Sequence, residues 1–387
     1  LYDIGGCSLC LQNRDDITGR KIYSKKEYIM ENYTILPVPY TVGPKAYDSI
    51  AEYTRLYGTK AVVIGGEKAM GASREKLLAA VEGTEIEILS FLLFGKECTF
   101  EAARRLEAMD AVKEADMIFA VGGGKAIDTA KLVSIDLKKP YFAFPTIASN
   151  CAAASAVSIV YKEDGSFADF VHFLDAAKHV FIDTDIIARA PEEYLWAGIG
   201  DTYAKYYEVS ISARGEDLPH YMALGVNMSR MCMETLVAHG AQALSDNKAG
   251  IASYDLEQAA LAIIITTGWV SMLVARDHTM DYNGGVAHAF FYGLCNLPGF
   301  DENHLHGVVV SFGVLLLLVM DGREEECKEL MEFNKTVGLP TKLSDIDVTV
   351  EQVAACAHAM TEDEDVEHYP YKVTEELIIE AVKKLDV

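Results

Sequence analysis

The stretch from Met117 to Leu132 restricts the fold more than any other. Met117-Ile118-Phe119-Ala120-Val121 is a short uncharged apolar run preceded by Asp116, the pattern of a strand buried in a parallel sheet. Three glycines follow at 122–124, and then Ala126, Ile127, Ala130, Leu132 and Val133 recur at helical spacing. A strand, a glycine turn and a helix in that order leave unhindered N–H groups at a helix start, where they attract an anion. The pyrophosphate of a dinucleotide is the obvious anion. A tight turn with no ligand is the other reading that the local pattern allows. The string is neither G-x-G-x-x-G nor a Walker loop, because Lys125 is followed by Ala126 and not by Ser or Thr.

The elements on either side extend the pattern. Ile35–Val42 carries Pro37 and Pro39, which suits an edge strand. Helical spacing over Ala46–Leu56, Ser73–Glu82 and Phe100–Ala115 alternates with strand-like runs at Lys60–Ile64, Ile86–Phe94, Tyr141–Phe144, Ala156–Tyr161 and His179–Ile182. Such alternation predicts a Rossmann-like α/β domain over 31–190 with a mostly parallel sheet. Past Pro191 the short β-branched runs stop. Long helical periods follow at 198–214, 221–240, 256–276, 285–294, 306–320 and 324–337, which predict an all-α domain over 191–387. Residues 1–30 show no period and are left unplaced.

Composition limits the partners. The 387 residues suit two or three domains. A formal net charge of −24 repels nucleic acid and anionic membrane surfaces, so neither is expected as a partner. Eight cysteines are scattered apart from Cys7 and Cys10, whose lone pair lacks the second half of a zinc site. Sparse cysteines and no recognisable secretory signal lead to the expectation of a cytoplasmic protein. The apolar runs 259–275 and 308–320 read as helices buried all round, not as membrane spans.

In the helical part, Asp201 lies early on one helix, His288 sits among small and apolar residues, and His306 heads an apolar helix. Each alone fits a helix-capping acid or a satisfied core histidine. Together, two imidazoles and a carboxylate could hold one divalent metal with a coordination position left open. Sequence spacing does not show that they converge.

Seven segments, in order, carry a resemblance: GGGKAIDTAK (122–131), FPTIAS (144–149), SAVSIVYKEDGSF (155–167), IDTDIIARAP (182–191), GIGDTYAKYYE (198–208), GGVAHAFFYGL (284–294) and HGVVVSFG (306–313). The chain resembles the iron-containing alcohol dehydrogenase and glycerol dehydrogenase superfamily, closest to its glycerol-dehydrogenase-like branch. The resemblance implies the dehydroquinate synthase-like architecture, an α/β dinucleotide domain followed by an α-helical metal domain, with reaction in the cleft between. It implies an NAD- or NADP-dependent oxidoreductase acting on a small alcohol or polyol, and a homo-oligomer. By the same resemblance, Gly122, Gly123, Gly124, Lys125 and Asp128 match positions at the pyrophosphate and nicotinamide. Thr146 and Ser149 match positions near the adenine and phosphates, and Ser155, Val157 and Tyr161 positions lining the nicotinamide. Asp201, His288 and His306 match the metal ligands.

The iron-using branch has a histidine four residues after the ligand aspartate, where this chain has Lys205. Its two ligand histidines also lie closer together than His288 and His306. Both differences favour Zn²⁺ over Fe²⁺. Two departures bear on specificity. Glycerol dehydrogenases carry an aspartate where this chain has Cys151, which removes a charged acceptor for substrate hydroxyls. NAD-preferring members carry an acid where this chain has Gly66, with Lys68 close by, so either cofactor fits. Rivals on the same fold are a glycerol-1-phosphate dehydrogenase, a dehydroquinate-synthase-like lyase and a non-catalytic nucleotide-binding relative.

Overall fold

The computed structural model describes residues 34–276, 278 and 281–385. The Cys7/Cys10 pair and the unplaced segment 1–30 lie outside them. Strands β1 (Tyr40–Val42), β2 (Lys60–Gly65), β3 (Glu87–Leu93), β4 (Met117–Gly122) and β5 (Tyr141–Pro145) precede a hairpin of β6 (Val157–Tyr161) and β7 (Phe167–His172), and β8 (Val180–Ile182) follows. Six of these strands form one sheet in the order β1-β8-β5-β4-β2-β3, with every pairing parallel.

Alternation along the central strands sends side chains to both faces. Val62, Ile64, Ile118, Ala120 and Ala143 enter one apolar cluster, and Val63, Phe119, Val121, Phe142 and Phe144 enter the other. Burial on both faces is why these strands read as continuous apolar runs. β1 is an edge strand, in keeping with its two neighbouring prolines. One strand differs from expectation. β6 does not join the parallel sheet; it pairs antiparallel with β7, a strand that the sequence reading did not place. The helix expected over Phe100–Ala115 is broken into Phe100–Glu107 and Asp110–Glu114.

The described elements after β8 are all helical. Among them, Glu192–Ser212 and His220–Ala249 pack along one another, and His306–Met320 is buried on nearly every side. Two helices that the sequence reading did not place, Val350–Thr361 and Glu375–Leu385, pack together beyond them. Among the described residues, Tyr254–Val274 is the one helix long and apolar enough to cross a membrane, and 61% of its apolar window is buried within the protein. It carries a π turn at Ala262–Thr266, where the Thr267 hydroxyl donates to the Ala262 carbonyl at 2.9 Å.

Candidate active site

The sheet contributes two glycine turns side by side. β2 and β4 are neighbours, and from them the chain winds outward in opposite directions, to β3 on one side and β5 on the other. Ligands of open α/β sheets bind at the carboxyl ends of strands at such a switch point. There, Gly66 follows β2 and caps the helix Glu67–Val81, and Gly123 caps the helix Gly124–Asp136. Neither helix start receives a side-chain cap. Gly122 has φ +145°, a conformation open to glycine, and a Cβ there would lie 3.0 Å from the Ala126 Cβ. A Cβ on Gly123 would lie 2.6 Å from the Ile147 side chain. The turn is thus a tightly fitted backbone surface, the kind of cradle that accepts a phosphate.

The other matched positions divide into two groups. Thr146 sits beside Gly122, its N–H donating to the Gly122 carbonyl at 3.2 Å, and Ser149 follows half-buried on the same loop. Lys125 pairs with Glu97 at 2.6 Å and lies 5.3 Å from the Tyr161 ring centre. Glu67 and Lys68 are exposed beside Gly66. Asp128, by contrast, is only 6% exposed and turned into the protein. It pairs with the wholly buried Lys131 at 2.9 Å. The Lys131 ammonium also donates to the Ser155 hydroxyl at 3.3 Å and to the Val157 carbonyl at 2.7 Å. Asp128, Ser155 and Val157 therefore form a buried strut between the glycine-turn helix and the β6–β7 hairpin. The i, i+3 spacing of Asp128 and Lys131 was the sequence signal for that pair.

The helical half contributes a cluster of donors. Asp201 lies on Glu192–Ser212, His288 on Val286–Leu294 and His306 at the start of His306–Met320. A Cβ on Gly200 would collide with the Gly307 carbonyl, and one on Gly307 with the Ala197 carbonyl, so the first and third helices cross backbone to backbone. That crossing brings the His306 Nε2 to 3.4 Å from the Asp201 Oδ1, and the His288 Nε2 lies 3.5 Å from the same oxygen. All three donor atoms fall within 4.8 Å of one another. Donors bound tetrahedrally at about 2.1 Å to a common ion stand about 3.4 Å apart, so the triplet fits a divalent metal with a fourth position open.

Glu208, which sequence reasoning missed, holds His288 in place. It is fully buried, and its carboxylate accepts from the His288 Nδ1 at 2.7 Å and from the His288 backbone N–H at 3.1 Å. This fixes the tautomer that offers Nε2 to the centre of the triplet. Burial disfavours the imidazolium, but Glu208 and then Asp201 outweigh it and raise the His288 pKa to about 10. Burial likewise opposes ionisation of Asp201, but hydrogen bonds from both histidines hold its carboxyl well below the usual range. The site is built to attract positive charge. Tyr292 lies beside it, 5.9 Å from the His306 ring, while His304 stacks on Phe300 and turns towards Asp347. Cys151 is half-buried on the loop that passes the glycine turn.

Comparison with known proteins gives a consistent picture. A family model described as iron-containing alcohol dehydrogenase matches residues 37–184. The chain is 31% identical over 363 residues to the hydroxycarboxylate dehydrogenase A of Escherichia coli K12, covering 90% of this chain and 98% of that one. It is 31% identical over 367 residues to a glycerol dehydrogenase of Thermotoga maritima, covering 91% and 96%. The crystal structure of glycerol dehydrogenase from Schizosaccharomyces pombe superposes with a TM-score of 0.80 at 26% identity, over 92% of this chain and 91% of that one.

Proposed function

The chain belongs to the iron-containing alcohol dehydrogenase family, on its glycerol-dehydrogenase side, and we propose that Asp201, His288 and His306 hold the metal of a nicotinamide-linked alcohol and polyol oxidoreductase. The observation that carries the reading is the 3.4 and 3.5 Å spacing of the two imidazoles about one carboxylate oxygen. Three donors with a fourth position open, and Lys205 where a further histidine ligand would stand, favour Zn²⁺ over Fe²⁺. Residues 31–190 carry NAD or NADP and residues 191–387 carry the metal, with Gly122–Gly124 and Gly66 against the cofactor phosphates.

When bound, the metal polarises a substrate oxygen and the nicotinamide accepts or returns a hydride. The protein's own part is positioning. Asp201 stays ionised throughout the physiological range and supplies the charge at the centre of the triplet. Glu208 keeps the His288 ring in one orientation. The glycine turns let a pyrophosphate approach the backbone, and the buried Asp128–Lys131 strut fixes the hairpin beside it. The names of the two relatives span a polyol and hydroxycarboxylates, so side chains around the triplet must choose the substrate's second functional group.

The test is to strip the metal with a chelator, reload with Zn²⁺ or Fe²⁺, and follow bound metal together with NAD(P)H formation on a panel of diols and hydroxy acids. NADH and NADPH binding are titrated separately by fluorescence. Recovery with either ion supports the triplet, and greater recovery with Zn²⁺ supports zinc. Full activity in metal-free protein overturns the metal assignment, and no binding of either dinucleotide overturns the reading of the glycine turns.

A further inference from the structure

Lys205 lies one helical turn beyond Asp201 on Glu192–Ser212, and residues four apart share a helix face. It is 6% exposed. Its ammonium donates to the Asn283 backbone carbonyl and, at 3.1 Å, to the Asn283 side-chain oxygen. Asn283 immediately precedes the Gly284-Gly285 turn that leads into the His288 helix, so Lys205 is anchored between the segments carrying two of the three donors. Among the described residues it forms no ion pair. Buried charges are normally paired or coordinated, because an unpaired one loses its hydration without compensation. Two of the three ammonium protons are used, both on neutral oxygens of Asn283, and no carboxylate closes an ion pair with it.

The surroundings point the same way. After burial, the largest electrostatic influence on the Cys151 thiol is Lys205, and the next is Asp201. Cys151, Lys205 and Asp201 thus lie within electrostatic reach of one another, a small neutral side chain, a cation and one member of the donor triplet. The carboxylates nearby do not answer the cation. Glu208 is committed to His288, and Asp365, although within the electrostatic reach of Lys205, forms no ion pair with it.

We propose that Lys205 is a substrate-recognition residue for a carboxylate, and that the preferred substrates are 2-hydroxy acids and the matching 2-oxo acids. The proposal rests on the reading of Asp201, His288 and His306 as the metal site. Side chains one turn apart have Cβ atoms about 5–6 Å from each other. Lys205 shares the Asp201 face of its helix, so a ligand whose hydroxyl meets the triplet has its neighbouring group on the side from which Lys205 approaches. A polyol has no charge to offer Lys205, and Cys151 gives its extra hydroxyl only a weak acceptor. The reaction balances as 2-hydroxy acid plus NAD(P)⁺ giving 2-oxo acid, NAD(P)H and a proton. The C2–H bond breaks with its electron pair moving to the nicotinamide, the hydroxyl proton goes to solvent, and C2 is oxidised to a carbonyl.

The decisive experiment compares a matched pair, 2-hydroxybutyrate and 1,2-butanediol, on the metal-loaded enzyme. The wild type is expected to favour the acid at least tenfold in kcat/KM. Lys205→Met is expected to raise KM for the acid tenfold or more and to change kcat/KM for the diol less than threefold. Lys205→Arg restores part of the preference. Calorimetric binding of oxamate, an unreactive 2-oxo acid analogue, to the NAD(P)H complex is lost in Lys205→Met and kept in the wild type. A wild type that prefers the diol overturns the proposal without needing any variant. So does an equal loss on both substrates in Lys205→Met, which would make Lys205 a strut for Asn283. If neither substrate is oxidised with any metal or cofactor, the underlying reading of the triplet fails. If only the diol is oxidised, the triplet stands and the role of Lys205 falls.

Discussion

The two walls of the site are made of different material. The sheet wall is backbone: glycines at 66 and 122–124, whose bare turns are proposed to receive the cofactor phosphates. The helical wall is side chain: two imidazoles and carboxylates on helices far apart in sequence, with His288 oriented by the buried Glu208. A backbone site is damaged by adding atoms and a side-chain site by removing them. Four substitutions press on that contrast.

The largest effect is expected on the helical wall. Asp201→Ala should abolish tight metal binding and lower kcat about a thousandfold or more, since metal polarisation is worth several kcal/mol. Elemental analysis and steady-state rates check this together, and unchanged metal content would sink the assignment. Next comes Glu208→Gln. A glutamine has one acceptor oxygen for the two N–H groups that His288 presents, so metal affinity should fall about 10–100-fold with the triplet itself intact. A competitive chelator titration measures it.

Gly122→Ala tests the other wall by adding one methyl group. The φ of +145° and the 3.0 Å approach to Ala126 put the cost at about 1–3 kcal/mol. NAD(P)H affinity should drop roughly tenfold while metal content stays the same. Equal damage to metal binding would erase the distinction between the walls.

The smallest effect concerns stability. Asp365 is 3% exposed, and burial lifts its pKa from 3.8 to about 7. A carboxyl raised in the folded state stabilises fully below its unfolded pKa, and that contribution is lost as pH climbs through about 7. In metal-free protein, Asp365→Asn should flatten the fall in Tm between pH 5 and 8 and melt a few degrees above the parent at pH 8. Parallel curves would show that Asp365 ionises without cost.

The same contrast governs how much could be read from the chain. The glycine turn is contiguous, so β4 and its helix were legible as a string, and so were β2, β5 and β8. Asp201, His288 and His306 were named through resemblance, because nothing in their spacing shows that a Gly200–Gly307 crossing will bring them together. Glu208 and Lys205 were not assigned roles because polar residues on a helix ordinarily face water. Here the helix is buried around most of its circumference, and both residues lie inside the protein, Glu208 on His288 and Lys205 on Asn283. The β6–β7 hairpin was half seen, since β7 lacks the apolar alternation that marks a strand. The matched role of Asp128 came from resemblance, whereas its position reflects a local ion pair with Lys131.

The crossing at Gly200 and Gly307 also sets a time scale. Two helices touching backbone to backbone cannot part by a side-chain rotation, so the backbones that carry Asp201 and His306 separate only when that part of the core opens. The His306 side chain at the crossing is 37% exposed. A bound ion should therefore escape by swinging of His306, at a rate indifferent to mild urea, while the amides around the crossing exchange hydrogen only as slowly as the whole core unfolds.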